Sequence, residues 1–187
     1  MTSTVAICNR ALAYLGEEPI TDMQENSEAA RRCNLLFAET RDAVLRAHPW
    51  NAALSRAELA RVMPGPTWGW ASAFQLPADP YCLRVVALTP GSEPYAIEGQ
   101  WLMANIDSAR ILYICRITDP TLYDALLLDS IATRLAADLA ESLTGDPRRA
   151  AGLWQLYGEK LREARRVDGQ EGLLAADGVG PWEAAHM

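Results

Sequence analysis

Residues 119–167, DPTLYDALLLDSIATRLAADLAESLTGDPRRAAGLWQLYGEKLREARRV, decide the fold. Asp119-Pro120 supplies a capping carboxylate followed by a proline whose fixed φ suits the first turn of a helix, so a helix is expected to open there. Leu128, Ile131, Leu135 and Leu139 recur at helical spacing as its core stripe, while Ala125, Ala132, Ala136 and Ala140 keep a neighbouring face small. That small face lets another helix approach closely. Gly145 suits a left-handed stop, and Asp146-Pro147 repeats the start signal at once. Leu153, Tyr157, Leu161 and Ala164 then line one side of the following helix. So short a connection predicts an antiparallel helical hairpin.

Working outward, residues 4 to 15 place Val5, Cys8, Leu12 and Leu15 on one stripe, with Ser3 or Thr4 as cap and Gly16 as stop. A longer helix is expected from about Ser27 to Ala47, with Ala30, Cys33, Phe37, Thr40, Val44 and Ala47 facing inward and Asn26 or Ser27 capping it. Pro49 ends it near His48, because proline has neither the room nor the N–H to continue. Between Trp50 and Cys115 the period changes. WGWASAFQL, LRVVALT, YAIEG and RILYIC are short, rich in β-branched and aromatic residues, and separated by proline and glycine punctuation. LRVVALT alternates only partly, which suggests burial on both faces. YAIEGQWLM reads as a hairpin about Gly99, and four to six antiparallel strands are expected in all.

The fold class is therefore α+β. Two N-terminal helices (1–50) and the C-terminal antiparallel helix hairpin (118–167) form a helical bundle, which carries an inserted antiparallel β-rich domain (51–117). Beyond Val167 the composition turns glycine-rich and acidic, so residues 168–187 read as an extended arm. Leu173, Leu174 and Trp182 are costly to leave in water. The segment is either an inert tail or an arm that orders on a partner.

The chain has 187 residues, half of them hydrophobic and 22% charged, enough for a packed core and against global disorder. A net charge of −7 argues against a dedicated nucleic-acid binder. Of the seventeen basic residues only Lys160 is lysine and sixteen are arginine. Arginine suits planar and bidentate protein contacts, although a high-GC genome gives the same bias. Cys8, Cys33, Cys82 and Cys115 lie far apart in apolar stretches, without metal-ligand spacing, and read as reduced core residues. The N-terminus lacks the pattern of a signal peptide and no apolar run is long enough to span a membrane, so a soluble protein made in the cytoplasm is expected.

Catalytic, metal and cofactor motifs are not expected: the phosphate-loop, dinucleotide, nucleophile-elbow and zinc-protease strings do not occur. His48, before Pro49-Trp50 at a helix end, suits capping or packing better than base catalysis, and His186 sits near the terminus. Glu17-Glu18, or Glu141 with Asp146, offer paired carboxylates of the kind glycoside hydrolysis needs, which keeps a peptidoglycan hydrolase open as an alternative. A non-virion packaging or assembly factor is the other. The six tryptophans are more informative. Trp68 and Trp70 would share one face of a strand, either filling the core or forming an interface patch, since tryptophan and arginine together anchor protein contacts.

Several strings, in order, resemble the tail tubular protein A family, the head-to-tail adaptors of short-tailed double-stranded DNA phages. They are N-x-A-L-x-x-L-G, I-T-x-x-x-E-N-S, A-x-x-C-N-x-L-F and T-R-D-x-x-L-R-x-H-P-W at the start, F-Q-L-P-A-D-P-Y-C-L-R-V at 74–85, and RITDPTLYDALLLDSIATRLAADLAESLTGD later. The resemblance covers residues 3 to about 166 and stops short of the tail. It implies a non-enzymatic virion protein of the head–tail junction. About twelve copies would form a ring between portal protein and tail nozzle, letting double-stranded DNA pass unread. It also implies a helical bundle with an inserted β-rich domain, and a C-terminal segment that embraces the portal. On that basis Leu173, Leu174 and Trp182 are the expected portal contacts, and Trp68, Trp70, Arg148 and Arg149 the expected subunit or tail contacts.

Overall fold

The computed structural model describes residues 2–89, 91 and 93–173, with the side chains of the last two left aside. Leu174 and Trp182, with most of the expected arm, lie outside the described residues. The chain is α+β, with four α-helices and six strands in two antiparallel three-stranded sheets among the described residues. Two compact units divide it. One takes the described chain up to Val44, Trp50–Ala52 and the described residues from Thr118 onward; the other takes Leu45–Pro49 and Ala53–Ile117.

The first unit is helical. Helix α1 (Thr4–Leu15) starts where Ser3 accepts a hydrogen bond from the Ala6 amide and ends at Gly16, whose φ of 68° is left-handed. Its buried residues are Ile7, Cys8, Ala11, Leu12 and Leu15; Val5 is only half-buried and Ile7 takes its place. Helix α2 (Glu28–Ala47) begins one residue after Ser27, whose hydroxyl accepts from the Ala30 amide at 3.2 Å. Trp50 folds back so that its indole N–H donates to the Val44 carbonyl in the last turn of α2 at 3.0 Å.

Helix α3 (Ala125–Thr144) packs on both α1 and α4 (Pro147–Leu173). Its cap differs from expectation. Asp119-Pro120 opens only the 3-10 turn Pro120–Leu122, and Asp124 caps α3 by accepting from the amides of Leu126 and Leu127. Ile131, Leu135 and Leu139 are fully buried as expected, while at the head of the stripe Leu127 is fully buried and Leu128 only half-buried. Ala132, Ala136 and Ala140 are wholly buried, as the small face requires, whereas Ala125 is exposed. Gly145, at φ 64°, ends α3, and Asp146 caps α4 by accepting from the amides of Arg148 at 2.9 Å and Arg149 at 3.3 Å.

Helix α4 does not stop near Val167 but runs to Leu173, so the arm cannot start at 168. The reason is Asp168, 8% exposed: its carboxylate accepts from the Asn51 amide at 3.0 Å and its carbonyl from Asn51 Nδ2 at 2.7 Å. These bonds hold the last turns despite Gly169.

The second unit holds strands β1 (Leu54–Leu59), β2 (Ser72–Gln75), β3 (Cys82–Thr89), β4 (Tyr95–Glu98), β5 (Trp101–Ala104) and β6 (Ala109–Cys115). One sheet has the order β1-β6-β3 and the other β2-β5-β4. Leu59, Leu88, Ile111 and Tyr113 from the first sheet pack with Phe74, Leu102 and Ala104 from the second in one core. Backbone bonds from Val62 to the Ala73 carbonyl (2.8 Å) and from Gln75 to the Ala60 carbonyl (2.9 Å) tie the chain leaving β1 to β2. The hairpin β4–β5 turns at Gly99, φ 62°, as expected. Strand β3 is not buried on both faces. It is an edge strand with an irregular register between Val85 and Ala87, and that bulge, not double burial, breaks its alternation.

Candidate functional site

The stretch VMPGPTWGW, residues 62–70, contains two prolines and two glycines and forms a loop ahead of β2. Trp68 and Trp70 therefore do not share a strand face, because Pro64, Pro66 and the positive φ of Gly69 (85°) exclude a regular ladder. The loop is held at its ends. The Ala71 amide donates to Asn105 Oδ1 at 2.9 Å, and Arg61 reaches the Ala71 carbonyl at 3.4 Å and Asp107 at 3.5 Å.

Beside the loop lies the sheet face turned away from the core. The register pairs Trp101 with Gln75 on one side and Glu98 on the other, and Met103 with Ala73 and Ala96, so these residues share that face. Loop and face enclose an open cleft of about 420 Å³ lined by Trp68, Trp70, Trp101, Met103 and Glu98 among others. Trp68 is 85% exposed and Trp101 44%. The Trp101 indole N–H donates to Gln75 Oε1 at 3.1 Å, which fixes the ring. Pairing Trp68 with Trp70 in sequence pointed to a patch here; the contribution of Trp101 and Glu98 needed the hairpin register.

Arg148 and Arg149 open α4 and have separate roles. Arg149 donates to the Tyr14 carbonyl at 3.1 Å, inside the helical unit. The guanidinium of Arg148 is exposed and has no partner among the described residues. Leu173 is the last described residue of α4.

A cluster that sequence reasoning missed lies on Asp129 of α3. Its carboxylate is 7% exposed and takes Arg10 at 2.7 Å, Lys160 at 3.0 Å and the Tyr14 hydroxyl at 3.3 Å. Three donors compensate the cost of taking a carboxylate out of water. The hydrogen bond and charge of Asp129 in turn hold Lys160, the one lysine, above its ordinary value. Nearby chemistry on α3 is similar. Thr40 donates to Asp138 at 2.9 Å, and Arg134 pairs with Asp138 at 3.0 Å while its guanidinium sits 4.4 Å from the Trp154 ring centre and 5.4 Å from that of Tyr157.

The cysteines are free thiols: Cys8, Cys33 and Cys82 buried, Cys115 half-buried. The neighbouring Cys33 and burial push Cys8 upward, and burial pushes Cys82 up to about 11. Thiols raised in this way are poor nucleophiles and poor metal ligands, whereas the hydrogen bond with Cys8 lowers Cys33. Among the described residues no group of three or more His, Cys, Asp or Glu is placed to hold a metal ion, and no helix is long and apolar enough to cross a membrane. Of the candidate carboxylates, Asp146 is engaged in capping α4, Glu18 and Glu141 are exposed, and Glu17 is half-buried. His48 stands half-buried just past α2. No family model matches the sequence, and no curated protein matches it.

Proposed function

We propose that this protein is a head-to-tail adaptor of a phage virion, a non-enzymatic ring subunit between portal and tail at the head–tail junction. The observation that carries this reading is the ordered series of strings between residues 3 and 166 that resembles the adaptor family. The architecture supports it: a helical unit whose two halves flank, in the chain, an inserted unit of two antiparallel sheets.

A closed ring repeats one heterologous contact, so each copy needs two different adhesive patches. Exposed Trp68 with its cleft, and Arg148 at the head of α4, belong to different units and are of the chemistry that anchors such contacts. A net charge of −7 suits a channel through which double-stranded DNA must slide, because phosphate affinity grows with each basic group presented. The ring, of about twelve copies, would rest on the portal and receive the tail nozzle, with the segment beyond Leu173 reaching the portal.

Electron microscopy of the protein mixed with its portal tests this. Ring-shaped complexes are expected, and their absence overturns the reading. Truncation should fall after Leu173 and not at 169, where it would cut into α4. Loss of residues 174–187 is expected to leave helix melting unchanged and to abolish portal binding; unchanged affinity refutes the arm. Clearing of bacterial cell wall in a zymogram that Glu17→Gln or Glu18→Gln abolishes would overturn the non-enzymatic reading.

A further inference from the structure

We propose that the cleft between the 62–70 loop and the outward face of β5 is a binding site for an arginine side chain presented by a partner polypeptide. This does not depend on the adaptor reading. Three indoles and one carboxylate meet in it, Trp68, Trp70, Trp101 and Glu98, and none of its lining residues is basic. An indole face is negative, and a carboxylate at its rim adds a full charge, so the cleft attracts a cation and is poorly suited to an anion. Trp101 has its N–H satisfied by Gln75, so what its pinned ring offers a ligand is the π face.

The molecule contains an occupied version of the same chemistry. Arg134 lies over the rings of Trp154 and Tyr157 and pairs with the carboxylate of Asp138. Two aromatic rings and an acid thus hold one guanidinium inside the helical unit. The cleft offers rings and an acid and has no guanidinium of its own.

Arginine fits better than lysine because its planar, weakly hydrated head stacks on indoles while its edge pairs with a carboxylate. At about 420 Å³ the cleft exceeds one guanidinium and admits the side-chain stem with some flanking backbone. An exposed Trp68 at its mouth, 85% accessible, would be covered by that chain.

The test uses the full chain, labelled with nitrogen-15, and follows the indole N–H signals of its tryptophans. The probes are N-acetyl-arginine methylamide, its neutral citrulline counterpart and a chitin-derived oligosaccharide. The arginine compound should shift the signals of Trp68, Trp70 and Trp101 and leave buried Trp50 and arginine-covered Trp154 in place. Citrulline, which has the same shape without the charge, should bind about tenfold more weakly. Glu98→Gln, at an exposed position that the fold does not need, should weaken arginine binding by about three- to tenfold. Equal binding of arginine and citrulline, selective binding of the sugar, or unmoved signals at the highest soluble arginine concentration would each overturn the proposal.

Discussion

Replacing Trp50 by phenylalanine tests the account of how α2 ends. Trp50 is fully buried, and its indole N–H is given to the Val44 carbonyl at 3.0 Å. Phenylalanine keeps most of the ring packing but removes that donor. Losing one buried hydrogen bond costs about 0.5–1.5 kcal/mol. The lost pyrrole portion leaves a small void worth about 1 kcal/mol more. The expected destabilisation is therefore about 2 kcal/mol, equivalent to a fall of about 4–8 °C in a chain of this size. Far-UV circular dichroism at 222 nm during urea or thermal unfolding reads the helical unit without relying on the fluorescence that the substitution removes. Trp68→Phe, at a side chain 85% exposed, is the matched control and should stay within about 0.5 kcal/mol. A loss at Trp50→Phe no larger than that of the control would refute the claim that this indole holds the last turn of the helix.

Asp129→Ala should cost about 2 kcal/mol by urea denaturation. That is less than breaking a fully buried pair, because Arg10 is 47% and Lys160 34% exposed and both can turn to water. Asp107→Ala, whose partner is 3.5 Å away and whose side chain is fully exposed, should leave the midpoint unmoved. Gly145→Ala should destabilise by about 1 kcal/mol in the same assay: its φ is 64°, and nothing crowds a new Cβ, so the cost is backbone strain alone. Burial raises Tyr123 from 10.0 to about 12, which means the folded state favours the neutral phenol. Its contribution is complete below pH 10 and is lost as pH rises toward 12, so Tyr123→Phe should flatten the fall in melting temperature across that window.

The helix ends were legible wherever a single residue carried the signal. Ser3, Gly16, Ser27, Gly145 and Asp146-Pro147 act through their own side chain or their own φ, so no distant partner was needed. Asp119-Pro120 opens only a 3-10 turn, because Asp124, another good cap five residues on, is the one that caps α3. The end of α4 was illegible for a related reason. The glycine-rich, acidic composition beyond Val167 reads as the end of the helix, whereas the bonds between Asp168 and Asn51, 117 residues apart, anchor its last turns.

The cleft was half legible. TWGWAS marks a tryptophan patch, but alternation alone puts Trp68 and Trp70 on one strand face, whereas Pro64, Pro66 and Gly69 keep them in a loop. Glu98 joins Trp101 only through the pairing of β4 with β5. Asp129 is not legible locally: an acid beside leucines reads as solvent-facing, and its partners come from α1 and α4.

The helical unit is discontinuous in the chain, and this has a consequence during synthesis. Helix α1 buries its apolar stripe against α3, which begins 110 residues after α1 ends (Ala125 against Leu15). At typical elongation rates of about 5–20 residues per second, Ile7 and Leu12 wait roughly 6–22 s on the ribosome for their partner. The strands, contiguous between Leu54 and Cys115, are complete before that partner emerges. The nascent chain therefore closes its middle first and its beginning last, and the exposed stripe of α1 is the part that a ribosome-associated chaperone would shield.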